Sequence, residues 1–274
     1  MSTNVTSLVG AVGGAGTTRL CIELAGLFAA EGDRAVVLDA AYATQGLADH
    51  MDGRIDPDAT ALVTADRPLA DGLVGLDTAG DGTVEALPAR ASFERLARAK
   101  TPEAARRFES LLAEAREHAD RVLVDVPPVA ANQAVAAVNA ADRVALVAPG
   151  TTRGADGVAR LRDRLADIGT EADAVVATRA VECDFADACV PADDAEPGET
   201  PVADTADGAF AAGVAAAAEV ACDAEIERSF DGGLLPYRRS PSPERASASG
   251  SDGSTASAPA SASSAPGIVP WVST

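Results

Sequence analysis

The residues best suited to chemistry form a glycine-rich segment near the amino terminus, Val12-Gly13-Gly14-Ala15-Gly16-Thr17-Thr18-Arg19. Glycines allow the backbone to turn so tightly that successive N–H groups point at a single anion. A helix that starts directly after such a turn adds the positive end of its dipole, which also favours negative charge. We therefore predict an anion-binding loop, of the kind that holds phosphate groups, built from Gly13, Gly14, Ala15, Gly16, Thr17, Thr18 and Arg19.

Two aspartates form a second chemical feature, because each follows a short apolar run. Asp39 ends the run 36–38, and Asp125 ends the run 122–124. The carboxyl ends of parallel strands meet at one edge of a sheet, where binding sites form. Hydroxyl and carboxylate oxygens are the hard ligands that Mg²⁺ prefers. We therefore expect Asp39 and Asp125 at the same edge of the sheet as the glycine loop, where the Thr18 hydroxyl is suited to bind Mg²⁺.

The segments around these residues alternate between strand and helix patterns. Short apolar runs bounded by turn residues predict buried strands, and apolar residues recurring every three or four positions predict helices. Repeated strand–helix–strand units predict an α/β fold, a mostly parallel sheet with helices on both faces. The predicted strands are 5–11, 35–38, 83–88, 121–125, 143–147 and 172–177, and the predicted helices are one through Leu20 and Phe28, 102–118, one through Leu161, and 210–222.

The glycine-rich segment resembles the deviant Walker A loop of the ParA/MinD family of P-loop ATPases, whose pattern is KGGxGK[ST]. Asp39 resembles the first aspartate of the family's strand-end DxD, Asp125 is similar to its Walker B aspartate, and Thr178 stands where the family has an adenine-contacting asparagine. The resemblance covers about residues 5–222 and implies a MinD/ParA-like fold, ATP with Mg²⁺ as ligands, and a homodimer. It also implies that Thr18, Asp39 and Asp125 hold Mg²⁺ if a nucleotide binds, and that Asp39 is the one candidate for a catalytic residue. The loop positions that match are Gly13, Gly14, Gly16 and Thr18.

Besides Thr178, three positions depart from the family's motifs, and all three bear on phosphate chemistry. Val12 replaces the family's signature lysine, Thr17 replaces the Walker lysine, and Ala41 replaces the aspartate that positions the attacking water. Losing one charge-assisted contact removes about 1.5–3 kcal/mol, which weakens binding about 10- to 150-fold. Because the glycines remain while these groups are gone, the pattern indicates a loop kept for its shape or for a weakly held anion.

We therefore predict a degenerate ParA/MinD-like protein, a binding, regulatory or positioning module with weak or absent nucleotide hydrolysis. Its cofactor is then ATP with Mg²⁺, or it has none. The alternative is an active Mg-ATP-dependent ATPase with a substitute cation, either Arg19 or an arginine from a second subunit; Arg19 points about 100° away from Thr18 around the helix. A third alternative, metal-cluster assembly, requires a CxxC pair, whereas five residues separate Cys183 from Cys189.

Composition bears on compartment and partners. The chain has 274 residues, a formal net charge of −20 and a single lysine, Lys100. Such a surface is typical of proteins adapted to molar salt, where the Debye length falls to about 3 Å, and we interpret the chain as a halophilic, haloarchaeal, cytoplasmic protein. The negative charge argues against nucleic acid as a partner. No segment has the roughly 18 consecutive apolar residues of a membrane span.

The chain also divides by composition into two parts. We predict a P-loop NTPase-like domain over residues 1–228 and a disordered tail over 229–274, because Ser-, Ala- and Pro-rich sequence cannot bury a core. The tail ends in an apolar stretch that contains the only tryptophan, Trp271. This stretch is either a chance apolar end or a short docking peptide. The sequence names no protein partner, so that partner is unknown.

Overall fold

An eight-stranded sheet forms the centre of the molecule. The computed structural model describes residues 4–228 and residue 230. The strand order is β3-β4-β2-β5-β1-β6-β7-β8, and every neighbouring pair is parallel except β3 and β4. The strands are β1 (Asn4–Gly10), β2 (Arg34–Asp39), β3 (Val74–Leu76), β4 (Thr83–Leu87), β5 (Arg121–Val126), β6 (Arg143–Pro149), β7 (Ala174–Thr178) and β8 (Ala188–Val190).

Helices cover both faces of this sheet. One face packs against the first and last helices, and the other face packs against the remaining five. Three short 3-10 helices, Gly46–His50, Leu69–Asp71 and Pro197–Glu199, lie in the connections. The α-helices are α1 (Thr17–Ala30), α2 (Ala59–Ala65), α3 (Phe93–Ala99), α4 (Pro102–His118), α5 (Asn132–Ala140), α6 (Thr152–Asp167) and α7 (Ala209–Cys222).

Alternation along the strands divides the core into two clusters. In β2, Val36 and Leu38 join the cluster with α2 to α6, whereas Val37 joins the cluster with α1 and α7. Successive side chains of a strand point to opposite faces. Both faces of a parallel sheet are covered by helices, so its strands read as unbroken apolar runs.

The predicted α/β architecture is confirmed, with the predicted strands and helices in place. Helix 102–118 has the predicted ends. It begins at Pro102 because Thr101 accepts a hydrogen bond from the N–H of Ala104 and proline suits the first helical position. The sequence did not predict β3, β8, α2, α3 or α5. Within the described residues, no helix is both long and apolar enough to cross a membrane. The predicted tail, with Trp271, lies outside the described residues except for Phe230.

Candidate functional site

The glycine loop, residues 11–16, joins the central strand β1 to α1. Gly14 and Gly16 have φ values of 74° and 83°, which residues with a side chain adopt only at a cost, so the turn itself requires glycine there. Gly13 has no positive φ, and a Cβ added to it would meet no atom within 4 Å. Gly13 therefore leaves open space on the outer side of the loop that packing within the chain does not explain.

The two side chains at the family's lysine positions pack into the protein. Thr17 is 8% exposed, and its hydroxyl oxygen lies 2.8 Å from where a Cβ on Gly10 would be. Thr17 therefore lies beneath the loop. Val12 packs against α6, where a Cβ on Gly157 would lie 2.7 Å from Val12 Cγ1. Apolar and neutral contacts thus hold the loop at the two positions where the ParA/MinD pattern has a lysine.

The two strand-end aspartates lie side by side in the sheet, as predicted from the parallel arrangement. Asp39 and Asp125 are paired in the register of β2 and β5, and they are 0% and 2% exposed. Burial raises the pKa of Asp125 to about 6, although a hydrogen bond from Thr18 opposes the shift. Burial, and after it the charge of Asp125, raise the pKa of Asp39 well above its usual value. The chain thus confines two carboxyl groups where negative charge is costly.

Thr18 links the glycine loop to this pair of carboxyl groups. Its hydroxyl donates to Asp125 Oδ2 over 2.5 Å. The loop after β2 passes close by, since a Cβ on Gly46 would lie 3.2 Å from the Thr18 hydroxyl oxygen. The structure therefore brings together Thr18, Asp39 and Asp125, the three residues expected to hold Mg²⁺.

Asp39 also shapes the two loops that border the site. Its carboxylate accepts hydrogen bonds from the backbone N–H of Ala41 over 2.7 Å and of Ala89 over 3.2 Å. Ala41, where the family has its water-positioning aspartate, is 5% exposed and presents only a methyl group. No side chain at position 41 can therefore orient a water molecule.

The donor set fits a hard divalent cation that takes its remaining ligands from elsewhere. Two carboxylates and one hydroxyl are suitable oxygen donors, and Mg²⁺ usually combines one or two carboxylates with water and phosphate oxygens. Among residues 4–228 and 230, no group of three or more His, Cys, Asp or Glu side chains forms a cage for a metal ion. This arrangement suits an ion that arrives with a phosphate ligand.

Arg19 lies beside the loop, but its charge is committed to carboxylates. It contacts Glu23 at 2.5 Å and Asp193 at 2.8 Å, and its guanidinium lies 5.5 Å from the centre of the Phe210 ring. Glu23 is fully buried and also accepts from two backbone N–H groups, so moving Arg19 away would leave a buried carboxylate without its cation. Arg19 lines a cavity of about 260 Å³ that adjoins Gly16.

The last residue of β7, Thr178, and the residue after it, Arg179, contact the loop in a way that sequence reasoning missed. The Thr178 hydroxyl donates to the carbonyl of Ala15 over 2.6 Å, and Arg179 Nη1 donates to the carbonyl of Gly14 over 2.9 Å. From the sequence, Thr178 is only a replacement for the family's asparagine, and Arg179 is not among the predicted site residues. The one available signal was their position at the carboxyl end of a predicted strand.

No protein-family model matches the sequence, and no curated protein matches it either. Several solved structures do match. The septum site-determining protein MinD of Pyrococcus horikoshii, complexed with Mg-ADP, has a TM-score of 0.57 and 18% identity, covering 70% of this chain and 82% of that one. A ParA family ATPase from Chlorobium tepidum has a TM-score of 0.57 and 18% identity, covering 70% and 85%.

A third match extends the likeness to a biosynthetic enzyme. Cobyrinic acid a,c-diamide synthase of Mycobacterium smegmatis, with bound ADP and magnesium, has a TM-score of 0.53 and 19% identity, covering 64% of this chain and 74% of that one. These similarities show that the chain has the fold of the MinD and ParA P-loop ATPases. The predicted resemblance is thereby confirmed at the level of the fold.

Proposed function

We propose that this chain is a degenerate ParA/MinD-like P-loop protein that acts as a regulatory or positioning module. It holds a nucleotide or a similar phosphate anion weakly at the glycine loop and hydrolyses it slowly or not at all. The observation that carries the proposal is the contrast within one site. Thr18, Asp39 and Asp125 stand together, whereas Val12 and Thr17 are packed into the protein.

This contrast separates binding from turnover. Phosphoryl transfer is catalysed by positioning and by cations on the phosphates. With neither lysine and with only a methyl group at position 41, the site has lost the groups that stabilise transferred charge and orient water. The backbone cradle and the helix dipole remain, and the dipole contributes about 0.3–2 kcal/mol. These remaining contributions support weak binding far better than they support catalysis.

Calorimetric titration with Mg-ATP, in about 2–3 M KCl to screen the protein's own charge, tests the proposal directly. We expect a dissociation constant weaker than about 100 µM, equivalent to −5.5 kcal/mol, and phosphate release no faster than in a protein-free blank. Tight binding with rapid hydrolysis would support the alternative of an active Mg-ATP-dependent ATPase with a substitute cation. That alternative is favoured by the intact arrangement of Thr18, Asp39 and Asp125.

A substitution at Gly13 distinguishes a loop that binds an anion from one kept only for its shape. A Cβ at Gly13 meets no protein atom, so Gly13→Ala should leave stability unchanged or raise it by up to about 1 kcal/mol. The same methyl group would fill the space that an anion approaches, so Mg-ATP should bind more weakly. Gly198→Ala is the matched control, because Gly198 is equally unhindered and lacks a positive φ. Equal Mg-ATP affinities of both variants and the unmodified protein would show that the loop holds no anion.

A further inference from the structure

Arg179 places a positive charge against the glycine loop from a different part of the chain. Its Nη1 atom lies 2.9 Å from the carbonyl oxygen of Gly14, although the two residues are 165 positions apart. A guanidinium group has five N–H donors, and this bond uses one of them. Since Arg179 and Gly14 are both exposed, the remaining donors lie where an anion entering the loop from solvent can reach them.

The backbone of Arg179 is held in an unusual conformation. Its φ is 54°, in the left-handed region, which costs a residue with a side chain about 1–2 kcal/mol. Such a conformation persists when surrounding contacts determine it, and it is enriched at functional sites. Here the preceding residue, Thr178, is fixed to the carbonyl of Ala15. Two consecutive residues at the end of β7 thus donate hydrogen bonds to two consecutive carbonyl groups of the loop.

The charge of Arg179 is also uncommitted. Within the described part of the chain, no carboxylate lies within ion-pair distance of its guanidinium, whereas Arg19 contacts both Glu23 and Asp193. The chain as a whole carries a formal charge of −20. A guanidinium without a carboxylate partner, bonded to the rim of an anion-binding turn, is therefore available for a phosphate.

We propose that Arg179 supplies the positive charge that the glycine loop lacks, by binding a phosphate group of the ligand held there. This inference rests on the proposed function, since it requires the loop to hold a phosphate anion. The guanidinium is a planar fork rather than a point charge, so it replaces the attraction of the lost lysine but not its geometry. Arg179 accordingly restores affinity, while hydrolysis remains slow.

The test compares Arg179→Gln with Arg162→Gln, a control at an exposed arginine on α6, in calorimetric titrations with Mg-ATP and with Mg-pyrophosphate. Arg179→Gln should lower the affinity for both ligands about 5- to 10-fold. This is at the lower end of the range for a charge-assisted contact, because Arg179 is exposed. Arg162→Gln should change neither affinity. Arg179→Lys should lower the affinity for both ligands less than Arg179→Gln does, because lysine keeps the positive charge. Unfolding midpoints without ligand show whether each variant remains folded.

The possible results distinguish a failure of the role of Arg179 from a failure of the proposed function. If the unmodified protein binds neither Mg-ATP nor Mg-pyrophosphate, the proposed function fails and this inference fails with it. If the unmodified protein binds both and Arg179→Gln binds them equally well, only the role of Arg179 is overturned. A loss confined to Mg-ATP, with pyrophosphate affinity unchanged, also overturns it, because Arg179 would then contact the nucleoside and not the phosphate.

Discussion

Replacing Asp125 by asparagine should stabilise the protein at neutral pH. The pKa of Asp125 is raised by burial to about 6, whereas an unfolded aspartate titrates near about 3.9. The Asp125 carboxyl therefore binds its proton more tightly in the folded state than in the unfolded state. Its contribution to the free energy of unfolding is fully present below about pH 3.9 and is lost as the pH rises through about 6. A difference of about two pKa units corresponds to about 3 kcal/mol. Asparagine at position 125 carries no charge and still offers an oxygen to the Thr18 hydroxyl.

Urea unfolding followed by circular dichroism, at several pH values between 4 and 8, measures this effect. The free energy of unfolding of Asp125→Asn, minus that of the unmodified protein, should rise by about 2 kcal/mol between pH 4 and pH 7, because part of the effect has already developed at pH 4. Asp163→Asn on the exposed side of α6 is the matched control, since it removes one negative charge without relieving burial. A difference that stays flat with pH, or that matches the control, would refute the view that burial of this carboxyl group is costly.

Two further substitutions test the packing around the loop and the opposite sign of a pKa shift. Gly157→Ala should lower the free energy of unfolding by about 1–3 kcal/mol, because its Cβ would lie 2.7 Å from Val12 Cγ1. Gly75→Ala, with no atom within 4 Å of the added Cβ, should leave it unchanged or raise it by up to about 1 kcal/mol, and equal urea midpoints of the two variants would contradict this. Asp142→Asn should destabilise the protein at neutral pH, because burial raises the pKa of Asp142 but a hydrogen bond from Arg116 and a backbone N–H outweigh it and lower the pKa. The loss should shrink as the pH falls below the unfolded pKa of about 3.9, and a loss that persists in acid would refute it.

The parts of the fold that the sequence predicted are those with strong local signals. The central strands are unbroken apolar runs, and the helix Pro102–His118 has a capping threonine and a proline at its start. The elements that it missed lack such signals. The helix Asn132–Ala140 begins after Ala131, which has no side chain to cap it, and the strand Val74–Leu76 is a three-residue antiparallel edge.

The candidate site divides in the same way. Asp39 and Asp125 could be placed next to each other because the carboxyl ends of parallel strands meet at one edge. The orientation of the Arg19 side chain could be predicted only in part. Helix geometry places it about 100° away from Thr18 around the helix axis, but it does not reveal the carboxylates that Arg19 contacts. Arg179 could not be foreseen, because its contact depends on a positive φ and on a loop 165 residues away.

The residues at this site have opposite effects on the stability of the protein without a ligand. An unpaired lysine beside the positive end of α1 would be repelled by the helix dipole. Thr17 and Val12 avoid that repulsion and fill space at the loop instead. The pair of buried carboxyl groups has the opposite effect, since it destabilises the folded chain at neutral pH.

Of the two buried carboxylates, only that of Asp39 stabilises the surrounding structure. Asp39 is used by the fold, because its carboxylate binds the backbone N–H groups of Ala41 and Ala89 and so fixes two loops. Within residues 4–228 and 230, the Asp125 side chain accepts a hydrogen bond from Thr18 alone, and a neutral asparagine would accept it equally well. The charge of Asp125 therefore brings no stability to the chain by itself. A divalent cation between Asp125, Asp39 and Thr18 would offset the cost, and for this reason the buried acid pair supports ligand binding more strongly than the glycines do.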